Sequence, residues 1–591
     1  MLSFLKRVFA SIVGTILGMS IFFVIFFIII GAMFYALTGD TSEQDVNIKA
    51  NSVLEIRLNA PIHEQSFHDP LSDLDVPVNL GDNSLGLIEI AGALEKARDD
   101  QAIEGLYLHF GNPLASYASL QEIRTQILKF KESGKFVVFF SDYATEKALY
   151  LASLADQSYV NPAGLVEFNG LSVERQYMKK LLDKLGLEPV IFRVGKYKSA
   201  IEPYIRENMS DASRQQTEGF LNSIFMHYTQ EMADDLSITT DSIRQIAHQL
   251  MIRKPQDAAD LGIITGIAYE DEVLDTIRTL LSLEPNEKIN KVQLSSYASP
   301  LQSDEFATGK IAVVVAEGEI MMGSSKQNER IGSDLAGTIR KLRQNENVKA
   351  VVLRINSPGG SALASDIIWK EIIELKKEKP IVASMSDVAA SGGYYMAMGC
   401  DKIVAYPTTI TGSIGVFGMS INIANFMEDK IGITYDVVKT SPFADIGSVN
   451  REMTSQERGI IQGEVDRIYE DFTSKAAQGR NMSLEDLQEV AQGRVWSGEQ
   501  ALSIGLVDEL GGLEDAIQVA ANQAEIEDYT LEYYPKQTSF LEQLMGDPYE
   551  TMLQQSLKKE LGSFYHSFEY IKNIKDRDRI QARLPYLIEL K

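Results

Sequence analysis

Asn356-Ser357-Pro358-Gly359-Gly360 closes the apolar run 348–355. A degraded copy of that passage, Gly111-Asn112-Pro113-Leu114-Ala115 after the run 103–110, stands 245 residues earlier (356 − 111). The same spacing relates Ser386-Asp387-Val388-Ala389-Ala390-Ser391-Gly392-Gly393-Tyr394-Tyr395 to Ser141-Asp142-Tyr143-Ala144-Thr145-Glu146-Lys147-Ala148-Leu149-Tyr150. The shared serine, aspartate and final tyrosine hold the register, while the small, glycine-rich centre is confined to the second copy. A repeat this long is a duplicated domain rather than a solenoid unit. The copies diverge where chemistry could happen.

Outward from these passages, each copy alternates strands and helices. In the second, 310–316, 350–356 and 381–385 are apolar and β-branched, as buried strands are. Helical spacing over 361–376 brings Ile367, Ile368, Ile372, Ile373 and Leu375 together, and 392–398 starts a helix leading to a strand at 403–406. The first copy repeats the order at 53–58, 105–110, 119–130, 136–141 and 147–155. Long helices follow near 213–236 and 455–478. The expected class is α/β: tandem parallel sheets with crossover helices. The copies span 50–284 and 309–535, joined by a polar linker at 285–308 that contains Pro285 and Pro300. The amphipathic tail, 536–591, is expected to form surface helices against a partner subunit or near a membrane.

At 591 residues the chain exceeds one hydrophobic core, and its 45% hydrophobic content is ordinary for a globular protein. A net charge of −26 argues against nucleic acid as a partner and against docking on anionic lipid through a basic patch. Cys400 is the single cysteine, so no intrachain disulfide can form, and it reads as a small buried apolar residue. The six histidines are His63, His68, His109, His227, His248 and His566, which leaves the second repeat without one. No metal-ligand pattern is present, and neither metal nor cofactor is expected.

Residues 8–37 carry no charged side chain, and a bilayer core needs about 20 helical residues, so this stretch is expected to span a membrane. A cleavable signal peptide has an apolar region of only about 7–15 residues. Lys6 and Arg7 precede the stretch, and Asp40, Glu43 and Asp45 follow it. The positive-inside rule leaves residues 1–7 cytoplasmic and puts the body on the far side.

Ser391, just after a strand and flanked by Ala389, Ala390, Gly392 and Gly393, is open to two readings. It is a helix N-cap, or a nucleophile whose small neighbours admit a substrate backbone beside a helix N-terminus. The Pro-Gly-Gly turn after Ser357 is a plain β–α connection, or a source of the N–H donors at Gly359 and Gly360 that an oxyanion needs. With no histidine in the repeat, a Ser-His-Asp relay is implausible, and a lysine made neutral by burial is the alternative base. Composition does not choose which lysine.

Asn-Ser-Pro-Gly-Gly-Ser at 356–361, Ala-Ala-Ser-Gly-Gly-Tyr at 389–394 and Thr411-Gly412-Ser413-Ile414-Gly415 together resemble the signal peptide peptidase A family, peptidase family S49. The similarity is to its long, duplicated, membrane-anchored form from bacteria with two membranes. The resemblance implies a ClpP/crotonase-like fold for each repeat and a Ser–Lys dyad with Ser391 as nucleophile. The base is the lysine of a Gly-x-x-Lys-Ser-Ala motif, here Gly195-Lys196-Tyr197-Lys198-Ser199-Ala200, which points to Lys198 rather than Lys196. Lys198 falls opposite Ala444 in the other copy, and Ser391 falls opposite Glu146, so one composite site per chain follows. Ser413 would hold the lysine amine, and the N–H groups of Gly359 and Gly392 would bind the oxyanion. The implied protein is a homotetrameric endopeptidase of the inner membrane, with its catalytic body in the periplasm, that degrades released signal peptides and other apolar peptides. Activity should rise toward alkaline pH. Competing readings are a catalytically silent, membrane-anchored oligomeric scaffold on the same fold, and acyl-CoA chemistry, which the outward topology disfavours.

Overall fold

The computed structural model describes residues 14–15, 18–19, 22–25, 48–66, 84–297, 307, 309–324, 330–535 and 580–584. The chain divides into two units, Met1–Lys49 and Ala50–Lys591. In the first, residues 14–15, 18–19 and 22–25 are helical, and Phe22, Val24 and Ile25 expose their side chains. The expected span at 8–37 lies largely outside the described residues. Among the described residues, no helix is long and apolar enough to cross a membrane.

The second unit is α/β and carries the duplication. The first repeat's sheet runs, in spatial order, Gly266–Ile267, Gln157–Val166, Phe136–Ala144, Ile103–Phe110, Ser52–Leu58 and Asn290–Gln293, with every pairing parallel. The second repeat's sheet runs Val495–Ser497, Ile410–Gly412, Ile381–Ala390, Val348–Ser357, Gly309–Glu317 and Tyr529–Tyr534, with one antiparallel pairing at the Val495–Ser497 edge. Strands covered by helices on both faces read as continuous apolar runs, and Ile311 to Val314 and Ala350 to Leu353 are accordingly all buried. Val53 pairs with Gly105 as Ile311 pairs with Ala350. The second strands keep the 245 spacing, whereas the first strands stand 258 apart (311 − 53) because the first copy has a longer connection to its first helix.

The polar stretch 285–308 contains Asn290–Gln293, an edge strand that buries little beyond Val292. That sparse apolar signal hides a strand from periodicity. Tyr529–Tyr534 closes the second sheet in the equivalent place.

The repeats interlock in two ways. Helix Leu87–Asp99 of the first copy packs Ile88 and Ala91 against Val313, Val352 and Val382 of the second sheet. A third sheet is shared, in the order Arg330–Gly332, Glu319–Met321, Gly359–Ser361, Ile580–Arg583, Val416–Asn422 and Glu188–Val194. Its last strand belongs to the first repeat and pairs antiparallel with Val416–Asn422 over seven residues, Val194 to Glu188. That pairing carries the Gly195–Ala200 loop to the second repeat.

Candidate active site

Strand Ile381–Ala390 passes into helix Gly392–Ala397 through one residue, Ser391, at φ 56° and ψ −109°. A positive φ on a non-glycine residue costs on the order of 1–3 kcal/mol, so the surroundings must enforce it. The Ser391 N–H donates to the Gly412 carbonyl at 2.8 Å, which fixes the turn. The Ser391 side chain makes no capping hydrogen bond to the helix, contrary to what an N-cap serine would do. A Cβ on Gly393 would lie 2.8 Å from the Ser357 carbonyl oxygen, so close approach of two strand ends accounts for that glycine.

Lys198 follows Glu188–Val194 and meets Ser391 inside the second repeat. Its Nζ lies 2.8 Å from Ser391 Oγ, and it donates to Ser413 Oγ and to the Ser413 carbonyl oxygen, both at 3.1 Å. Lys198, Ser391 and Ser413 are all completely buried. Burial alone pushes the Lys198 amine well below the ordinary lysine value. Lys196, two residues away, is exposed and lies over the Tyr197 ring. The two lysines do not share an environment.

The loop around Lys198 leaves no spare room. A Cβ on Gly493, at φ 77°, would lie 2.7 Å from Lys198 Cβ, and one on Gly415 would lie 3.2 Å from its Cδ. Ser413 sits at φ 51°, and its N–H donates to the Arg494 carbonyl at 2.7 Å.

Gly359, at φ 92°, and Gly392 converge: a Cβ on Gly359 would lie 2.6 Å from the Gly392 nitrogen. A third group, the Ala582 carbonyl oxygen, lies beside both, 2.2 Å from that Cβ and 3.1 Å from a Cβ on Gly392. Any side chain at Gly359 would fill this recess. Gly360 has a different reason: it pairs with Ile320, whose carbonyl oxygen would lie 2.0 Å from a Cβ there.

The equivalent place in the first repeat holds no nucleophile. Glu146 starts helix Glu146–Ala152, and one of its carboxylate oxygens accepts from the N–H groups of Asn169 and Gly170. The other accepts from the Tyr228 hydroxyl. Phe168, fully buried, stands where the 245 spacing puts Ser413 (413 − 168). Burial raises the Glu146 carboxyl, although these hydrogen bonds oppose the shift. A satisfied carboxylate and a phenyl ring fill the places that Ser391 and Ser413 hold in the other copy.

Two residues that build the site carry little signal of their own in the sequence. Gln216, buried on helix Asp211–Leu236, donates from Nε2 to the Tyr197 carbonyl and to Ser199 Oγ, both at 3.0 Å, and accepts from the Val495 N–H at 3.1 Å. It clamps the Lys198 loop to the second repeat, yet on a long helix it reads as one more polar residue. Gln216→Leu leaves the buried Ser199 hydroxyl and Val495 N–H and the half-buried Tyr197 carbonyl without that partner, a buried group costing about 1–3 kcal/mol. The expected result is a folded protein whose kcat falls at least about tenfold while KM changes little, checked by steady-state hydrolysis of an apolar peptide. The other residue is Arg354, a charge in the middle of an apolar strand. Its guanidinium donates to Glu64 at 2.7 Å and to Glu122 at 3.1 Å, both from the first repeat.

The Peptidase family S49 model matches residues 129–284 and again 373–527, one match in each repeat. A chloroplastic serine protease SPPA of Arabidopsis thaliana is 34% identical over 487 residues, covering 81% of this chain and 70% of that one. Protease 4 of Haemophilus influenzae is 34% identical over 518 residues, 84% of this chain and 83% of its own. Protease 4 of Salmonella typhi is 32% identical over 545 residues, 88% and 86%. The duplicated α/β body with its buried serine is therefore that of a serine-type peptidase, not a silent scaffold. The chain belongs to peptidase family S49 and is of the signal peptide peptidase A type.

Proposed function

We propose that Ser391 and Lys198 are the catalytic dyad of a membrane-anchored endopeptidase acting on released signal peptides and other apolar peptides. The observation that carries this reading is the completely buried contact of Lys198 Nζ with Ser391 Oγ at 2.8 Å. A neutral amine has two hydrogens and one lone pair. With the hydrogens on the two Ser413 oxygens, the lone pair faces the Ser391 hydroxyl proton. Ser413 is thus a positioning residue.

In this mechanism Lys198 takes the Ser391 proton as Oγ attacks the peptide carbonyl. The carbonyl oxygen turns into the recess at Gly359 and Gly392, where N–H groups at the start of a helix favour developing negative charge. The Lys198 ammonium protonates the leaving amine. Water, deprotonated by the same lysine, then hydrolyses the acyl-enzyme. Each repeat supplies half of the dyad, which supports reading 50–284 and 309–535 as cooperating domains.

Anchoring through residues 8–37, with the body on the periplasmic side of an inner membrane, is supported by the uncharged run and its flanking charges. Substrates left in a bilayer would reach such an enzyme directly. A homotetramer is supported by an exposed apolar run in which Ile433, Tyr435, Val437 and Val438 all face outward.

The test is hydrolysis of an apolar peptide across pH by the detergent-solubilised full chain and by Ser391→Ala. Because burial depresses the lysine, activity should be low where Lys198 is protonated, rise with pH as the amine loses its proton, and level off. Ser391→Ala should abolish it. A profile flat between about pH 6 and 10 would rule out a lysine base working through that range.

A further inference from the structure

Between helix Leu484–Val490 and edge strand Val495–Ser497 the chain makes a tight turn that touches the surroundings of both Lys198 and Ser413. Gln492, at φ 53°, and Gly493, at φ 77°, are both left-handed, and a left-handed glutamine persists only where its surroundings enforce it. The backbone of the turn is tied down residue by residue. The Gln492 N–H donates to the Tyr469 hydroxyl at 3.3 Å, and the Gln492 carbonyl accepts from the Tyr197 N–H at 2.9 Å. The Gly493 N–H donates to the Ile414 carbonyl and the Arg494 carbonyl accepts from the Ser413 N–H, both at 2.7 Å. One end of the turn therefore holds the residue before Lys198, and the other holds Ser413 and the residue after it.

The Arg494 side chain makes the same connection a second time. Its guanidinium carbon lies 4.0 Å from the centre of the Trp496 ring and 5.1 Å from that of Tyr197, within the range where a cation is attracted to an aromatic face. Lys196, exposed, places its ammonium 5.3 Å from the same Tyr197 ring. Among the described residues the buried Arg494 Nε has no hydrogen-bond partner, so the rings are what hold the guanidinium. Trp496 carries the connection onward. It pairs with Thr411, and a Cβ on Gly412 would lie 2.8 Å from Trp496 Cδ1. Gly412 is the residue whose carbonyl fixes the Ser391 turn. Tyr197, Arg494 and Trp496 thus run from the lysine loop of the first repeat to the backbone that sets the serine in the second.

We propose that Arg494 is a positioning residue for the reaction: stacked against Tyr197 and Trp496, it sets the register of the Lys198 loop against the Ser391 and Ser413 turns. The inference rests on the reading of Ser391 and Lys198 as the dyad. An arginine suits the task because its planar guanidinium stacks on aromatic faces, which the compact ammonium of a lysine does not. Without the stack the loop relaxes, and the Lys198 amine leaves the Ser413 oxygens and gains water. No charged group acts on that amine in the folded protein; burial alone holds it neutral. Loss of burial therefore returns it toward the ordinary lysine value, and the rise of activity moves to higher pH.

The experiment is the pH dependence of kcat and KM for an apolar peptide, using the detergent-solubilised full chain and the variants Arg494→Gln, Arg494→Lys, Tyr197→Ala and Tyr197→Phe, each shown to be folded by thermal unfolding. Arg494→Gln and Tyr197→Ala should lower kcat at neutral pH about tenfold with KM little changed, and move the midpoint of the rise up by about one pH unit. The loss should accordingly shrink as the pH is raised. Tyr197→Phe, which keeps the ring, should keep the wild-type midpoint, and Arg494→Lys should fall between. Combining Arg494→Gln with Tyr197→Ala should shift the midpoint no further than either alone, because both remove one contact. Should Arg494→Gln not fold, the two Tyr197 variants decide the question, since they break the same stack from a half-buried position. A lowered kcat with an unmoved midpoint, or full activity of Arg494→Gln, overturns the positioning role and leaves the proposed dyad standing. A wild-type profile flat between about pH 6 and 10 overturns the lysine base and this inference with it.

Discussion

Lys198→Met should reduce peptide hydrolysis by about 10³-fold or more, as loss of a general base does in serine peptidases, and should leave the protein at least as stable as the wild type. The two halves of that expectation have one cause. The Lys198 amine is completely buried and meets no carboxylate among its hydrogen-bond partners, only serine oxygens. Holding it neutral in the folded state works against folding wherever the unfolded chain would protonate it. The folded value lies well below the unfolded one, so the unfolded state binds more protons in the window between them. Stability therefore climbs with pH through that window, and the lysine's cost is greatest below it. Methionine fills similar volume without an amine to desolvate. The midpoint of thermal unfolding should rise on substitution at neutral pH, and the difference should shrink toward pH 10. A variant that is inactive because it is unfolded would remove the base assignment.

Arg354→Met should be the most damaging single substitution outside the dyad, destabilising by about 3–5 kcal/mol. Arg354 is almost entirely buried, and besides Glu64 and Glu122 it donates to Ser384 at 2.9 Å and Ser386 at 3.1 Å. Burial opposes its charge, but the two carboxylates hold the guanidinium protonated throughout the usable range. Removing it strands two buried carboxylates, and one oxygen of Glu64 already lacks a hydrogen-bond partner. Burial raises the Glu122 carboxyl against the pull of Arg354, so loss of the arginine would drive it further toward the neutral form. The strand carrying Arg354 ends in the turn to Gly359, so activity should fall together with stability. Adding Glu64→Gln and Glu122→Gln to the variant should recover part of the loss. Thermal unfolding checks this, and a midpoint within a degree of wild type would show that the cluster does not bind the repeats together.

How much of this was legible in the sequence varies by residue. The duplication and the strand–helix alternation were readable because parallel strands buried on both faces must be apolar and β-branched. The Ser391 and Gly359 passages were readable because close backbone approach admits only small residues. Lys198 was not readable from local chemistry. It shares charge and loop with Lys196, and what separates them is burial imposed by Gly415 and Gly493 some 217 and 295 residues away (415 − 198; 493 − 198). Only the Gly-x-x-Lys-Ser-Ala motif ranked it first. Gln216 gave no signal because a helix surface carries many polar residues. Arg354 gave little more: a lone arginine inside a buried strand requires partners but does not say which they are. The 536–591 tail was expected to form surface helices, yet its described residues Ile580–Arg583 are a strand of the shared sheet, between Gly359–Ser361 and Val416–Asn422. Four residues are too few for periodicity to reveal, and their pairing partners are more than 150 positions away (580 − 418).

The central claim is that a lysine from one repeat activates a serine from the other, once per chain. The most direct measurement is mass spectrometry of the full chain after reaction with a fluorophosphonate, comparing wild type with Lys198→Met and Lys196→Met, all shown to be folded. One adduct per chain on Ser391, formed at comparable rates in wild type and Lys196→Met and not formed in Lys198→Met, is the predicted result. Labelling of Lys198→Met at the wild-type rate, or an adduct elsewhere than Ser391, would contradict it.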